Sequence, residues 1–460
     1  MTELNLSGKK KIHFVGIGGI GMSGLADILL EQGYQVSGSD RQKSALTGYL
    51  ESRGALIYEG HKDSNIDQAD LLVYSSAIGR DNPEIVKARQ TGITIVRRAE
   101  MLGYLMKFKF GIGVAGTHGK TTTTSMLGEI LIKAGFDPTL VIGGRLKSSM
   151  TNARLGKGDI LLAEADEYDR SFLTLNPRIA VITSIESDHL DIYRDLDDIL
   201  NTFLQYVRCL HPQGILIVNG DDENIKKIKS EFNCKLKTFG LKNGVDFKAE
   251  NMNFEQGRSS FDIKINGDKA ITLNLQVPGM HNIRNALASF AAAWELNVSP
   301  DKIAEALNEF QGVERRFDVL AEVGGILVVD DYAHHPTEIE ETLKSARSGW
   351  QRRLVVVFQP HLYSRTRDFY KEFAKALSLA DLAIVTEIYP ARETPIPGIS
   401  GKMIYESLRE MGAQAVFVPD KTKLPEELNQ ITKSGDLLIT MGAGDITEVG
   451  RRFVQMKKES

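Results

Sequence analysis

The stretch "GVAGTHGKTTTT", Gly113 to Thr124, holds the densest chemistry in the chain. Glycines let a backbone wrap an anion, a lysine adds a point charge, and a threonine hydroxyl offers a magnesium ligand. The strict phosphate-loop spacing, G-x-x-x-x-G-K-[ST], fails by one position, since counting back from Gly119 reaches Val114. The physical requirements survive. An apolar run "FGIGV", a glycine-rich turn and a helical pattern to about Ala134 still present backbone N–H groups to an anion. Lys120 then serves the outer phosphates and Thr121 a metal ion. Further on, "DILLAEADEYD" is an apolar run ending in Glu164, Asp166, Glu167 and Asp169. An acid ending a strand beside such a loop faces the magnesium, and Glu164, straight off the run, is the one the pattern favours. "RIAVITSI" leads likewise into "ESDHLD". Its His189 stands where a further metal ligand would project, although magnesium prefers oxygen donors.

A second glycine-rich loop lies upstream. Gly16, Gly18 and Gly21 satisfy G-x-G-x-x-G, with Gly19 inside it, between the apolar run "KIHFV" and a helical pattern beginning near Met22. Asp40 ends the next apolar run at about the spacing of a dinucleotide fold. The reading is a nucleotide diphosphate site. Glycines that merely permit a tight turn are the bland alternative, and the same motif in nicotinamide enzymes keeps an oxidoreductase open. Ser75 and Ser76 end "DLLVYSS", on the carboxyl edge where open α/β sheets bind ligands.

The elements that hold these loops follow from alternation. Short apolar runs separated by helical patterns recur along the chain, which predicts parallel sheets covered on both faces. Between Lys237 and Gln276 the texture becomes polar–apolar alternation with turn residues, which predicts appended antiparallel hairpins. The expectation is an α/β chain of three domains. These are a Rossmann-like domain over 1–108, a P-loop-type central domain with hairpins over 109–313, and a Rossmann-like domain over 314–460. At 460 residues, 42% apolar and 25% charged, the composition is that of a globular chain. A net charge of −4 without long like-charge blocks implies neither nucleic acid nor an anionic membrane as partner. No apolar run approaches the roughly 20 residues of a membrane span, and "MTELNLSGKKK" lacks a signal-peptide core, so a cytoplasmic location is expected. Cys209 and Cys234 have no metal or redox spacing. Oligomeric state is left open.

Together, "GTHGKTTTT", "EADEYD", "SDHLD", "PGMHNIRNALA", "VERRFD", "DDYAHHPTE" and "HLYSRT" resemble the Mur ligases, across nearly the whole chain and in order. "HFVGIGGIGMSGLA" and "SGSD" narrow the resemblance to the alanine-adding branch. It implies an ATP-dependent carboxylate–amine ligase acting on UDP-N-acetylmuramate and L-alanine, with ATP and two Mg2+ ions. The loop from Gly116 through Thr117, His118, Gly119, Lys120, Thr121 and Thr122 would hold ATP, and Asn282 would contact adenine with His281 adjacent. Arg316 and Asp331 would reach ATP from the third domain, Arg315 being read as a surface neighbour. His334, His361, Arg365 and Arg367 are the candidates for alanine and the acyl phosphate, without individual assignment. The sugar nucleotide falls to the first loop with Asp40, His61, Ser75 and Ser76. Thr121 with Glu164 matches one metal position, and Glu164 with His189 the other.

Asn282 and the His334-His335-Pro336 run also read as helix caps. Several Mur ligases carry a modified lysine after the D-H motif. This chain has none between Lys157 and Lys226, a feature shared with the alanine-adding branch. "EADEYD" is also similar to the murein tripeptide-recycling ligase, which remains the alternative. A non-catalytic nucleotide-binding scaffold is the remaining rival.

Overall fold

Strands alternate with helices along the chain of this computed structural model, and they gather into three sheets. The structure describes residues 6, 8–75, 77–144, 147, 153–190, 192–391 and 393–459. Two compact units result. The first takes the chain to Lys248 together with Lys264–Ile271 and Arg284–Leu307. The second takes Ala249–Ile263, Thr272–Ile283 and everything from Asn308.

The first unit opens with a five-stranded parallel sheet. Its strands are β1 (Lys11–Val15), β2 (Gln35–Asp40), β3 (Leu56–Glu59), β4 (Leu71–Tyr74) and β5 (Thr94–Arg97), in the order β3-β2-β1-β4-β5. The chain steps outward from β1 to β3, then restarts beside β1 at β4. The crevice between the carboxyl ends of β1 and β4 is therefore the topological switch point. The first glycine loop leaves β1 there.

A second sheet follows with β6 (Phe110–Ala115) at its heart, between β9 (Ile160–Glu164) and β10 (Ile179–Ile182). The strands β7 (Thr139–Val141) and β8 (Ala153–Arg154) extend it beyond β9, and β11 (Ile215–Asn219) and β12 (Lys235–Gly240) beyond β10. Ile112, Val114, Leu162, Val181 and Ile182 are fully buried, as strands covered on both faces require. Each such side chain contributes about 1.5–3 kcal/mol of burial. Register then does the functional work: Val114 pairs with Glu164 on one side of β6 and Ala115 with Ile182 on the other. Both acidic strand ends are thereby brought to the second glycine loop. The expected hairpins are present as β13 (Phe247–Glu255), β14 (Arg258–Ile265) and β15 (Asp268–Leu275). They are joined by Gln256-Gly257 and Asn266-Gly267, all four with positive φ.

The second unit carries the sheet β16 (Asp318–Val323), β17 (Ile326–Asp331), β18 (Arg353–Phe358), β19 (Leu382–Val385), β20 (Ala415–Phe417) and β21 (Asp436–Met441). Its order is β16-β17-β21-β18-β19-β20, with only the edge strand β16 antiparallel. Val328, Val329, Val356, Leu438 and Ile439 form its fully buried middle.

Candidate active site

Both glycine loops end in helices that start without a side-chain cap. Gly19 precedes the helix Ile20–Glu31 and Gly119 the helix Lys120–Lys133, neither receiving a capping hydrogen bond. Ser44, Asp195 and Asp222 cap other helices, while those after Leu362, Gly401 and Lys423 also start without a side-chain cap. Uncapped first-turn N–H groups at the carboxyl edge of a parallel sheet suit an anion.

At the first loop, Gly16 (φ 79°) and Ile17 donate their N–H groups to Ser39 O, and Gly18 N donates to Asp40 Oδ2 at 2.8 Å. A Cβ on Gly18 would stand 2.9 Å from that carboxylate oxygen, so glycine is needed there for close approach. Asp40 thus braces the loop from inside. Ser75 lies against Gly16, at the switch point, and the guanidinium of Arg98 lies against Gly21. His61 turns inward, its Nδ1 2.9 Å from Ser39 Oγ. Ser76 lies outside the described residues.

At the second loop, Gly116 and Gly119 have φ of 131° and 83°. The loop is laced to the segment after β10: Thr117 N donates to Ser184 O, Glu186 N to Thr117 Oγ1 at 2.8 Å, and His118 N to Ser184 Oγ. His118 Nε2 lies 3.3 Å from Glu186 Oε2. Lys120 Nζ donates to Gly116 O at 2.6 Å and to Glu167 Oε1 at 2.8 Å. Thr121 hydrogen-bonds the Glu164 carboxylate, which also accepts from Gly143 N at 2.6 Å. Thr122 is buried. Burial drives both Glu164 and Glu167 above the usual carboxylate range, in spite of Lys120. Burial also disfavours the lysine charge, yet Glu167, Asp166 and Glu164 outweigh it and Lys120 stays an ammonium. Three carboxylates against one lysine leave a surplus of negative oxygen donors. That hard donor set fits a divalent cation such as magnesium.

His189, with φ 55°, lies 3.7 Å from carboxylate oxygens of both Glu167 and Asp188. The carboxylate beside it is thus Glu167, which the sequence argument noted and passed over in favour of Glu164. Glu167 is held further: Tyr193 donates its hydroxyl to Glu167 O, and Arg170 ties the next turn to Asp198 through two bonds of 2.8 and 2.9 Å. Asp169 and Arg170 both take left-handed φ there, backbone strain beside a charged cluster. A second residue escaped the sequence reading. Asn285 sits where a Cβ on Gly119 would be, and its Oδ1 accepts from Thr123 Oγ1 at 3.2 Å.

In the second unit, Asn282 does not cap its helix, which begins earlier, at Met280. Its Nδ2 donates to Pro278 O at 2.7 Å, while His281 packs on Gly279. Asp331 ends β17, buried, with Oδ1 accepting from Ala333 N at 2.7 Å and Oδ2 from Phe317 N at 2.8 Å. Burial raises its pKa to about 6. Arg316 lies 3.3 Å from Glu338 Oε1, and that carboxylate with Asp331 keeps its charge against burial. Arg315 is no surface neighbour. It pairs with buried Asp330 at 3.2 Å, donates to Gly442 O and Gly444 O, and stacks over Tyr332. It ties the loop after Val313 to the end of β21.

His334 Nδ1 is 3.0 Å from Tyr332 O and 3.2 Å from Glu338 Oε2, and its ring meets that of His361 edge-on at 5.9 Å. His361 stacks on Tyr389. His335 caps the helix Pro336–Gly349, accepting from Thr337 N. Arg365 is buried in the first turn of the helix Tyr363–Leu377. Arg367 does not join this group, since its guanidinium pairs with neighbouring Asp368 at 2.7 Å and is half exposed.

Glycine loops at two sheet edges, one lysine among acids and a histidine–arginine group on a third sheet define a multidomain nucleotide-dependent enzyme. Three family models match in order: Mur ligase family, catalytic domain, over residues 11–110; Mur ligase middle domain over 114–293; and Mur ligase, glutamate ligase domain, over 315–444. The chain belongs to the Mur ligase family. It is 47% identical to the UDP-N-acetylmuramate–L-alanine ligase of Salinibacter ruber, covering 99% of this chain and 96% of the relative. It is 48% identical to that of Geotalea daltonii over 98% and 99%. Among solved structures, the UDP-N-acetylmuramate-alanine ligase of Thermotoga maritima aligns with TM-score 0.84 and 34% identity, over 98% of this chain and 99% of that one. A murein peptide ligase of Psychrobacter arcticus aligns with TM-score 0.72 and 26% identity over the same shares.

Proposed function

We propose that this chain joins L-alanine to UDP-N-acetylmuramate at the expense of ATP, through an acyl phosphate, in peptidoglycan precursor synthesis. The observation that carries the reading is Lys120, held in an anion-binding loop between Gly116 O and Glu167 with Glu164 close by. Relatives at 47–48% identity over nearly the whole chain supply the substrate pair. The tripeptide-recycling alternative is disfavoured by the lower likeness to the murein peptide ligase, 26% against 34% and TM-score 0.72 against 0.84.

A carboxylate is a poor acyl donor, because oxide is a poor leaving group. The lactyl carboxylate attacks the γ-phosphorus and ADP leaves. The neutral amine of alanine then attacks the acyl carbon, loses a proton, and expels phosphate. Two anions approach one another in the first step. Lys120 and the loop N–H groups screen them, positioned before reaction so that little reorganisation is needed. Bound magnesium would add Lewis-acid neutralisation of phosphoryl charge. Glu164, Thr121, Glu167 and His189 are the residues suited to hold it. The first loop, with His61 and Ser75 at the same sheet edge, takes the diphosphate and ribose of the sugar nucleotide. In the second unit, Arg316 and Asp331 are assigned to ATP, and His334, His361 and Arg365 to alanine and the acyl phosphate. A histidine there accepts the ammonium proton near neutral pH. The domain limits 1–108, 109–313 and 314–460 carry these three tasks in order.

Purified protein with ATP, magnesium, UDP-N-acetylmuramate and alanine should release phosphate only when all four are present. Phosphate release without the sugar nucleotide, or oxidation of NADH instead, contradicts the reading. A preference for a tripeptide over alanine selects the recycling activity.

A further inference from the structure

The first sheet carries a buried polar cluster of which the ligase reading above uses only His61. Its other members are His13 in β1, Ser37 and Ser39 in β2, Asn65 in the short turn Asp63–Ile66, and Glu84 in the first turn of the helix Pro83–Thr91. His13 and Glu84 are 0% exposed, an unusual position for a carboxylate. Four polar side chains approach Glu84. Ser39 Oγ donates at 2.6 Å and Asn65 Nδ2 at 2.6 Å, while His13 Nε2 lies at 3.6 Å and His61 Nδ1 at 3.2 Å. Burial alone pushes the Glu84 carboxyl up, but the nearby His13 and the bonds from Ser39 and Asn65 outweigh it and hold it below the usual range. Buried charge clusters of this kind seldom add net stability relative to apolar packing, so a functional reason is worth seeking.

His61 is the member that leads out of the core, its side chain 13% exposed. It follows Gly60, whose N–H donates to Asp40 O, and Asp40 in turn holds Gly18 of the first glycine loop. The ring therefore sits at the carboxyl edge beside the proposed sugar-nucleotide loop. Its Nδ1 is taken by Ser39 Oγ and Glu84, so Nε2, across the ring, faces away from the cluster. In a neutral imidazole the hydrogen bond made by one nitrogen decides the character of the other.

We propose that Glu84 is a positioning residue of the first nucleotide site, fixing the His61 ring through Nδ1 so that Nε2 accepts a hydroxyl hydrogen bond from the ribose of a uridine diphosphate. This rests on the reading that the first loop binds a UDP-sugar. UDP alone, titrated calorimetrically, tests it in the wild type, Glu84→Gln, His61→Ala and the double variant. Each single change should weaken UDP binding about tenfold, the loss of one good hydrogen bond. The double variant should bind no more weakly than His61→Ala, because both changes remove the same contact. Ser39→Ala, which removes the hydroxyl between Glu84 and His61, should repeat the loss if Glu84→Gln folds poorly. Affinity for a non-hydrolysable ATP analogue should stay at the wild-type value throughout. Additive losses, wild-type UDP affinity in Glu84→Gln, or an equal fall in affinity for the ATP analogue would each overturn the proposal, as would a wild type that binds no UDP. A wild type that binds UDP but releases no phosphate sinks the ligase reading instead.

Discussion

Lys120 is the residue on which the proposed chemistry turns. Its ammonium is held between a loop carbonyl and Glu167, already where phosphoryl charge would develop. Lys120→Ala should lower kcat by about a hundred- to a thousandfold, as loss of one preorganised charge does. UDP affinity in calorimetry should be unchanged, and a loss confined to UDP binding would contradict the assignment. Asp331 supplies a pH signature. Both its oxygens accept backbone N–H groups, from Phe317 and Ala333, and its pKa stands near 6. Above that pH it is a carboxylate with both bonds intact; below it, the proton turns one oxygen into a donor and frees the segment that carries Arg316. The KM for ATP, measured between about pH 5 and 8, should therefore rise as pH falls through 6. A flat profile would remove Asp331 from ATP binding. Lys120, Thr121 and Glu164 stood out as candidates because each sits at a fixed offset from a glycine turn or a strand end, whereas Asp331 entered only through the family resemblance. Glu167 was not singled out, because a turn of left-handed residues after the strand decides which acid swings back to Lys120.

At the scale of elements, local spacing told most of the story. Glycine loops between an apolar run and a helical pattern were legible because backbone geometry imposes them within a few residues. What spacing did not reveal was contact between elements remote in sequence. Asn285 against Gly119 depends on how the helix Met280–Glu295 lies on the loop, and Arg315 against Gly442 on which strand neighbours β17. Arg367 lies apart for a related reason: two positions along the helix from buried Arg365, it faces away and pairs with Asp368. The first loop offers an element-level test. Gly18→Ala puts a methyl group against the Asp40 carboxylate, so UDP affinity should fall at least tenfold, by about the cost of one hydrogen bond to a charged group. Binding of an ATP analogue, followed in the same calorimeter, should be retained; a parallel loss of both would mean general unfolding.

At the scale of the molecule, two units with their own cores predict two unfolding transitions in scanning calorimetry. UDP at a hundred times its Kd should raise the transition of the first unit, which contains the whole of the first sheet, by about 2.7 kcal/mol. A uniform shift of both transitions would show that the units unfold as one. The threefold alternation of strands and helices was plain from the sequence. The division of the hairpin segment between the two units was not, since it depends on contacts far from any motif. The claim at the centre of the account is that the sugar's own carboxylate is phosphorylated before alanine attacks. UDP-N-acetylmuramate with heavy oxygen in both carboxylate positions, turned over with ATP and alanine and read by mass spectrometry, follows that step atom by atom. The account predicts one labelled oxygen in the released phosphate and the other in the new amide; unlabelled phosphate from a productive reaction would contradict it.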